Sequence, residues 1–349
     1  MAEPSEKITV LYNAPVLSED HPDYISEVEV IDNVEAVLDI LTKAGYQTSC
    51  LAVGNDAQSL IDGLRTHAPD AVVNLFEGTA DNNANELYAA GILEWLGLSY
   101  TGCPFHTLVL ARSKHQAKRL FMAEGITTAP FFVVEDGIVP DCPLTFPCIV
   151  KPTQQDASVG VEQQSVVTNL DELRARVRFV YEQFAQPVLV EEFILGRELT
   201  VALVEMPDLR ILPGTEVLFP TDKQDYWPIL TYSAKWDKHS IEFNATDYHF
   251  KAELAPDLLA NIEDSARRAF RLLGCRDYAR VDFRIRKGDD RPFVLELNPN
   301  PDFAPERALA NNLWAAGIEH EVFVRQLVAN ALNRRLGPTA NRYQIRAAS

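Results

Sequence analysis

The chain has 349 residues, 47% of them hydrophobic, and a formal net charge of −18. This length allows two or three domains, each with its own core. The acidity argues against a nucleic-acid partner, because binding to a phosphate backbone depends mainly on Lys and Arg. The five cysteines are scattered and odd in number, which argues against a disulfide framework or a zinc site. The sequence has neither a run of about 18 apolar residues, as a membrane span needs, nor a signal peptide, so a cytoplasmic protein without a membrane partner is expected.

Strand and helix signals alternate over the first hundred residues. The pattern predicts strands at 8–12, 48–53, 70–76 and 98–100, and helices at 28–44, 57–66 and 84–96. Alternation at this spacing favours a parallel sheet covered by helices. Residues 1–104 are therefore predicted to form an open α/β domain.

The pattern of elements changes after Pro104. Shorter elements follow, with helices predicted at 106–110, 114–124 and 170–184 and strands at 131–134, 148–151 and 188–192. They indicate a small α+β domain over 105–193. A second α+β domain is predicted over 194–336, with strands at 198–205, 210–217, 278–285 and 292–297, a helix at 256–273 and a helix pair within 307–335. Residues 1–6 and the tail 337–349 lack apolar periodicity and are expected to fray.

Polar residues interrupt two apolar strands near the end of the chain. In a strand with period-2 alternation, Arg280 shares a face with Asp282, and Glu296 shares one with Asn298. A turn at 287–290 would fold the two strands into a hairpin and bring the four side chains together. Two carboxylates and an amide oxygen suit Mg²⁺, and an adjacent arginine can bind a phosphoryl oxygen or an oxyanion. The alternative is an ordinary hairpin whose polar residues face water.

The pattern Arg-x-Asp, followed by Glu-x-Asn-Pro-x-Pro, resembles the metal-binding end of the ATP-grasp fold, and most closely that of D-alanyl-D-alanine ligases. Other segments agree with this family in order and spacing: 97–102, 113–114, 149–152, 158–160, 190–193, 196–201 and 234–236. The resemblance implies an ATP-grasp fold of class α/β, with an N-terminal parallel-sheet domain, a small central α+β domain and a C-terminal α+β domain. It also implies an enzyme that joins a carboxylate to an amine through an acyl phosphate, using ATP and Mg²⁺, or Mn²⁺ in its place.

The resemblance also implies roles for individual residues at the phosphates. The metal ions would be held by Asp282, Glu296 and Asn298, the α and β phosphates by Lys114 and Lys151, the γ-phosphate by Lys235, and the tetrahedral oxyanion by Arg280. Lysine suits phosphate because it is a point charge on a flexible stem. Taken alone, each of these lysines is more often a solvated surface charge.

The remaining nucleotide contacts are implied by two further segments. The end of the strand predicted at 188–192 resembles the hinge on which adenine rests. This resemblance implicates Glu191, Glu192, Phe193 and Ile194 in binding adenine, and it implies that Glu198 binds the ribose hydroxyls. Alternatively, Glu191 and Glu192 only cap a strand. Segment 153–160 resembles the mobile loop that covers the phosphates, with Ser158 and Gly160 as candidates because small residues let backbone N–H groups approach phosphate. Asp156 stands where the family usually has serine, and its charge would repel phosphates.

The substrate side departs from the family. Glu27 matches a glutamate that meets the first substrate's ammonium, but it follows an insertion at 16–24, and it could equally belong to the first turn of a helix. Asp302 stands where the ligases have a glycine, and Arg307 where a serine holds the acceptor's carboxylate. Arg307 could clamp that carboxylate through two hydrogen bonds, whereas Asp302 could receive a substrate amine or cap the next helix.

The leading interpretation is therefore a ligase that acts on small amino-acid or carboxylate substrates and uses an acceptor other than D-alanine. One alternative is authentic D-alanyl-D-alanine ligase activity. The other is a non-catalytic nucleotide-binding protein, which the intact set of lysines and acidic residues argues against. A homodimer is expected from the resemblance alone.

Overall fold

The structure is a computed structural model that describes residues 6–18, 20, 24, 28, 30–79, 82–139, 141–155, 158–220 and 226–335. Within these residues the framework consists of three β-sheets. The predicted metal, phosphate and acceptor residues all lie in described ranges, but Glu27 lies outside them, as do Asp156 and the tail.

The first sheet is parallel, as the alternating pattern predicts. Its strands are β1 (Lys7–Asn13), β2 (Gln47–Val53) and β3 (Ala71–Asn74), in the order β2-β1-β3. The helices of this part are α1 (Val30–Lys43), α2 (Ala57–His67) and α3 (Asn85–Trp95). The predicted strand at 98–100 is reduced to a bridge between Val72 and Tyr100, because the chain turns directly afterwards at Gly102, whose φ is +86°.

The central sheet is antiparallel, and its strand order is β4-β7-β5-β6. Its strands are β4 (Phe131–Val134), β5 (Cys148–Pro152), β6 (Val166–Val167) and β7 (Val188–Glu192). Helices α4 (Phe105–Arg112) and α5 (Lys114–Ala123) precede it, and α6 (Leu170–Phe184) covers it. Helix α6 begins where Asn169 accepts a hydrogen bond from the Glu172 N–H, a standard N-cap. Its apolar face then packs on the valines of the sheet.

The third sheet carries the predicted hairpin, and its main path is β11-β10-β8-β12-β13. Its strands are β8 (Gly196–Glu205), β9 (Leu209–Ile211), β10 (Thr215–Leu218), β11 (Asp247–His249), β12 (Tyr278–Arg286) and β13 (Pro292–Asn298). The helices are α7 (Tyr232–Trp236), α8 (Ile241–Ala245), α9 (Pro256–Leu272), α10 (Ala308–Ala315) and α11 (His320–Arg335).

The prediction of one continuous strand at 210–217 is wrong. The segment 210–217 is divided into β9 and β10, which pair with different parts of β8. Pro213 lies between them and has no N–H for the ladder, so the strand cannot run through it.

The C-terminal helix returns to the N-terminal sheet. Phe323 and Val328 of α11 lie in the same buried cluster as Ile8 and Val73 of the first sheet. A buried carboxylate adds a polar link, since Asp277 accepts hydrogen bonds from the Gly102 N–H and from Arg334, all at 2.8 Å. The N-terminal sheet and α11 are thus held together beside β12. The boundaries proposed after residues 104, 193 and 336 remain predictions.

No helix of the described residues combines the length and apolar character needed to cross a membrane.

Candidate active site

The β12–β13 hairpin gathers the four polar residues that the alternation predicts. Arg280 lies opposite Asn298, and Asp282 lies opposite Glu296. Arg280 donates two hydrogen bonds to Asp282, from Nε at 2.8 Å and from Nη2 at 2.9 Å. The pair raises the pKa of Arg280 despite its burial. Two carboxylates, an amide and a guanidinium therefore share one side of the hairpin.

Lys114 reaches this cluster from the first turn of α5. Its Nζ lies 2.6 Å from Oε2 of Glu296. Burial alone would raise the pKa of the Glu296 carboxyl, but Lys114, with Lys151 and Lys235, outweighs burial and lowers that pKa well below its ordinary value. Glu296 is therefore ionised at neutral pH and can serve as an anionic ligand.

Lys235 lies on the short helix α7 and faces the same charges. Burial lowers the pKa of its ammonium, and Arg280 lowers it further, whereas Glu296 and Asp282 oppose the shift. The three lysines expected at the phosphates thus come from α5, β5 and α7, and all three act electrostatically on Glu296.

Lys151, on β5, contacts a different carboxylate. Its Nζ lies 3.0 Å from Oε2 of Glu191, and Lys118 lies 2.5 Å from the other oxygen of Glu191. Lys118 is almost fully buried, with 1% of its side chain exposed. The family pattern gives no role to Lys118. Its position one helical turn after Lys114, on the same face of α5, is the signal that could have identified it.

Glu198, expected at the ribose, is paired with a second residue to which the sequence gave no role. Arg284 Nη2 lies 2.9 Å from Oε2 of Glu198. The Arg284 guanidinium lies over the rings of Phe193 and Phe219, at 5.2 and 5.5 Å from their centroids. Burial raises the pKa of Glu198, and Arg284 opposes that rise. Arg284 continues the alternation of Arg280 and Asp282 along β12.

The segment expected to hold adenine is largely built into the protein. The side chain of Glu191 is enclosed by its two lysines. The N–H groups of Glu192 and Phe193 donate to the carbonyls of Pro130 and Pro147, both at 2.9 Å. These two amides therefore serve the fold rather than a bound base.

The loop expected over the phosphates has an unusual backbone in its described part. Ser158 and Gly160 have φ of +63° and +78°. Because the φ of Gly160 is positive and a Cβ there would lie 2.8 Å from the Phe184 ring, glycine is the residue that fits this position without strain. The Gly160 carbonyl accepts a hydrogen bond from Arg176 at 2.9 Å, which fixes the end of the loop to α6.

The two departures from the family pattern that are expected on the acceptor side pair with each other. Nε of Arg307 lies 3.5 Å from Oδ2 of Asp302, and both side chains are about 40% exposed. Asp302 Oδ1 accepts from the Ala304 N–H at 2.8 Å and from Asn33 at 3.3 Å. The N-cap of α10 is Arg307, so the expectation that Asp302 caps this helix is wrong: Asp302 instead stabilises the turn that precedes it.

The loop between β13 and α10 is anchored on both sides of Asp302. Asn300 donates to Glu86 of α3 at 2.8 Å and accepts from the Tyr278 hydroxyl at 3.0 Å. Phe303 is 1% exposed and packs edge-on against Tyr278 and Phe323, with ring centroids 5.4 and 5.6 Å apart. These contacts hold Asp302 and Arg307, the residues expected on the acceptor side, on a fixed backbone.

Comparison with known proteins agrees with this geometry. The family model described as D-ala D-ala ligase C-terminus matches residues 120–329. The chain is 32% identical over 302 residues to a D-alanine-D-alanine ligase of Gluconobacter oxydans, covering 86% of this chain and 93% of the relative. It is 31% identical over 336 residues to that of Gloeobacter violaceus, covering 94% and 100%.

The chain belongs to the D-alanine-D-alanine ligase family. As a member of this family it is an ATP-dependent ligase that forms carbon–nitrogen bonds.

Solved structures place the family fold on nearly the whole chain. A D-alanine-D-alanine ligase from Bacillus anthracis complexed with ATP superposes with a TM-score of 0.74 at 23% identity, covering 95% of this chain and 98% of that one. The VanG D-Ala:D-Ser ligase from Enterococcus faecalis gives 0.73 at 18% identity, covering 94% and 99%. The expected ATP-grasp fold is thereby confirmed.

Proposed function

We propose that this ligase uses ATP and Mg²⁺ to activate a carboxylate as an acyl phosphate and transfers it to an amine acceptor other than D-alanine. The observation that carries the proposal is that Lys114, Lys151 and Lys235, from three separate elements, lie close enough to the hairpin carboxylate Glu296 to lower its pKa. Lysines and acidic residues in such an arrangement can bind a nucleotide polyphosphate together with its metal.

The residues of the hairpin fit Mg²⁺. Asp282, Glu296 and Asn298 offer hard oxygen donors on one side of the sheet. Over the described ranges, no group of three or more His, Cys, Asp and Glu side chains is placed to hold a metal ion. This suits Mg²⁺, which keeps several waters and is bound by one or two carboxylates plus nucleotide phosphates. When bound, the ion would neutralise charge on the transferring phosphoryl group.

The protein's own residues would then act by position and charge. Lys114 and Lys151 would bind phosphate oxygens, and Lys235 would meet the phosphoryl group that is transferred. Arg280, oriented by its two hydrogen bonds to Asp282, would stabilise the oxyanion formed when the amine attacks the acyl phosphate. The loop that includes Ser158 would exclude water, which otherwise hydrolyses the intermediate.

ATP binding is the first test. Calorimetric titration of the full chain with ATP should show binding that is tighter with millimolar Mg²⁺ or Mn²⁺ than with EDTA. Titrations without detectable binding would remove the basis of the proposal. Binding without ADP release, for any pair of amino acids, would favour the alternative of a non-catalytic nucleotide-binding protein.

The change of acceptor is supported by Asp302 and Arg307. They add two opposite charges at places where the resemblance implies glycine and serine. Because each side chain is about 40% exposed, the pair can open toward a substrate at little cost. Arg307 would then bind the acceptor's carboxylate, and Asp302 would be released to an ammonium group.

A screen of amino-acid pairs, with ADP release and mass detection of products, tests the acceptor. D-Alanine should be a poor acceptor. Arg307→Ala should raise the acceptor KM roughly 10- to 150-fold, as expected for losing a hydrogen bond to a charged group, while the ATP KM stays unchanged. Arg325→Ala is the control, because Arg325 is an exposed arginine paired with Glu321 on α11. Efficient D-alanyl-D-alanine synthesis would restore authentic D-alanine-D-alanine ligase as the function.

Glu27 remains the proposed contact for the first substrate's ammonium, and Glu27→Gln should raise the KM of that substrate alone. The expected homodimer and the cytoplasmic location also remain predictions. Light scattering on the purified protein and fractionation of cells would test them.

A further inference from the structure

We propose that Lys118 is a positioning residue for the nucleotide: it neutralises Glu191 and thereby leaves Lys151 available to a phosphate. The inference rests on the proposed role of Lys151 in ATP binding. Neither the sequence pattern nor the family resemblance gave Lys118 a role.

The geometry consists of one buried carboxylate between two lysines. Lys118 lies 2.5 Å from Oε1 of Glu191, and Lys151 lies 3.0 Å from Oε2. Lys118 and Glu191 have 1% and 2% of their side chains exposed, whereas Lys151 has 18%. Lys151 is therefore the end of this triad that a ligand can reach.

The net charge of the triad depends on Lys118. Burial lowers the pKa of the Lys118 ammonium, and Glu191 opposes that shift. Burial raises the pKa of Glu191, but the two lysines outweigh it and bring the pKa below its ordinary value. With both lysines protonated and Glu191 ionised, the triad has a net charge of +1. Lys151 is the partly exposed member that presents this charge to a ligand.

Without Lys118, the same carboxylate would have Lys151 as its close counter-ion. A buried carboxylate is strongly unfavourable unless a cation pairs with it. Lys151 would then be held by Glu191, and a phosphate would have to compete with that carboxylate for it. Lys118 prevents this competition without touching the nucleotide.

Lys118 is itself fixed by its surroundings. Its Nζ donates to the Thr128 hydroxyl at 2.6 Å, and that hydroxyl donates to the Val294 carbonyl at 2.7 Å. Val294 lies on β13, the strand that carries Glu296. Because Lys114 lies one turn earlier on α5, the same helix face supplies one lysine to Glu296 and one to Glu191. The position of α5 thus sets both pairs.

The test compares the ATP affinities of full-length wild type and variants. They are measured by calorimetry in the presence of Mg²⁺, at a temperature well below the melting temperature of each protein. Lys118→Met should weaken ATP binding about tenfold or more, the scale of one lost charge-assisted hydrogen bond. Lys118→Met combined with Glu191→Gln removes both buried charges and should bring the affinity back to within about threefold of wild type.

A matched control separates this effect from lost stability. Arg334→Met removes a cation from the buried Asp277, away from the nucleotide, so it should lower the melting temperature and leave the ATP Kd unchanged. A folded Lys118→Met protein with an ATP Kd within twofold of wild type would overturn the inference.

A second variant covers the case in which Lys118→Met does not fold. Because the Glu191 side chain is 2% exposed and enclosed by the two lysines, Glu191→Gln keeps the backbone of the segment expected at adenine and removes only the carboxylate that holds Lys151, so its ATP affinity should equal or exceed that of wild type. A tenfold loss would contradict the inference, because Glu191 would then contribute to ATP binding directly. The proposed function fails separately, if wild type does not bind ATP or if Lys151→Met binds it equally well.

Discussion

Arg284 is the main counter-ion of a buried carboxylate, and replacing it with methionine should produce a loss of stability that depends on pH. The change removes the guanidinium that lies 2.9 Å from Glu198 and keeps an unbranched apolar side chain between Phe193 and Phe219. Arg284 is 4% exposed, so water cannot replace it. Glu198 must then either stay ionised without its closest partner or take up a proton.

The part of this loss of stability that comes from the unpaired Glu198 cannot exceed the cost of protonating Glu198 in the folded protein. Keeping a glutamate neutral costs about 1.36 kcal/mol for each unit by which the pH exceeds its ordinary pKa of about 4.3. The limit is therefore about 4 kcal/mol at pH 7.5 and about 1 kcal/mol at pH 5. Breaking a buried pair by removing one partner costs about 3–5 kcal/mol, so at pH 7.5 the two figures agree.

How this loss of stability varies with pH follows from the direction of the Glu198 pKa shift. Burial already raises the pKa of Glu198 in the folded protein, and Arg284, Lys235 and Lys151 hold it down. Without Arg284 the folded pKa rises further, whereas the unfolded value does not change. Relative to wild type, the variant's deficit in free energy of unfolding should therefore grow as the pH rises from the folded Glu198 pKa of the wild type to the higher folded pKa of the variant, and shrink as the pH falls.

Equilibrium denaturation in urea at pH 5, 6 and 7.5 measures this deficit. Lost hydrogen bonds to the carbonyls of Gly196 and Pro228 add a part that does not vary with pH, so the slope is the diagnostic quantity. The double variant Arg284→Met, Glu198→Gln should show no slope. Arg286→Met, at an exposed arginine on the same strand, should change little. Equal deficits for Arg284→Met at pH 5 and 7.5 would refute the assignment of Arg284 as counter-ion.

Three other changes give distinct results. Glu296→Gln should abolish ADP release with an unchanged circular dichroism spectrum, because the amide keeps the shape but loses the charge that serves Lys114 and the metal; turnover at saturating Mg²⁺ would contradict this. Lys235→Ala should lower kcat far more than ATP affinity if Lys235 acts on the transferred phosphoryl group, which steady-state kinetics and calorimetry would separate. Asp277→Asn should reduce the free energy of unfolding by about 3–5 kcal/mol, because the charge buried beside Arg334 is lost, while the ATP Kd measured by calorimetry stays the same.

The strands and helices that periodicity specifies were predictable from the sequence. The β12–β13 hairpin is the clearest case, since a short turn fixes the register and period-2 alternation then places Arg280 beside Asp282 and opposite Asn298. Pro213 was also visible in the sequence, but its effect on the segment 210–217 was missed. The short elements α7, α8 and β11 have too few residues to show a period.

Contacts between distant segments were not predictable in the same way. The position of Lys118 on a helix face follows from its spacing, but its partner Glu191 lies on a strand of the central sheet. The pairing depends on how α5 packs against that sheet, which no local pattern specifies. The same holds for Glu198 and Arg284, which become neighbours only because β8 and β12 are adjacent.

In the loop after β13, the residue that stabilises the backbone is different from the residues that are exposed to a ligand. Phe303 packs between Tyr278 and Phe323 and stabilises this segment. Asp302 and Arg307, on either side of Phe303, are partly exposed. Substitutions at the two charged positions are therefore expected to leave the loop backbone in place, and under the proposed function they would change which acceptor is used. Under the proposed function, such a loop would let substrate choice change by single substitutions, each of which leaves a folded protein.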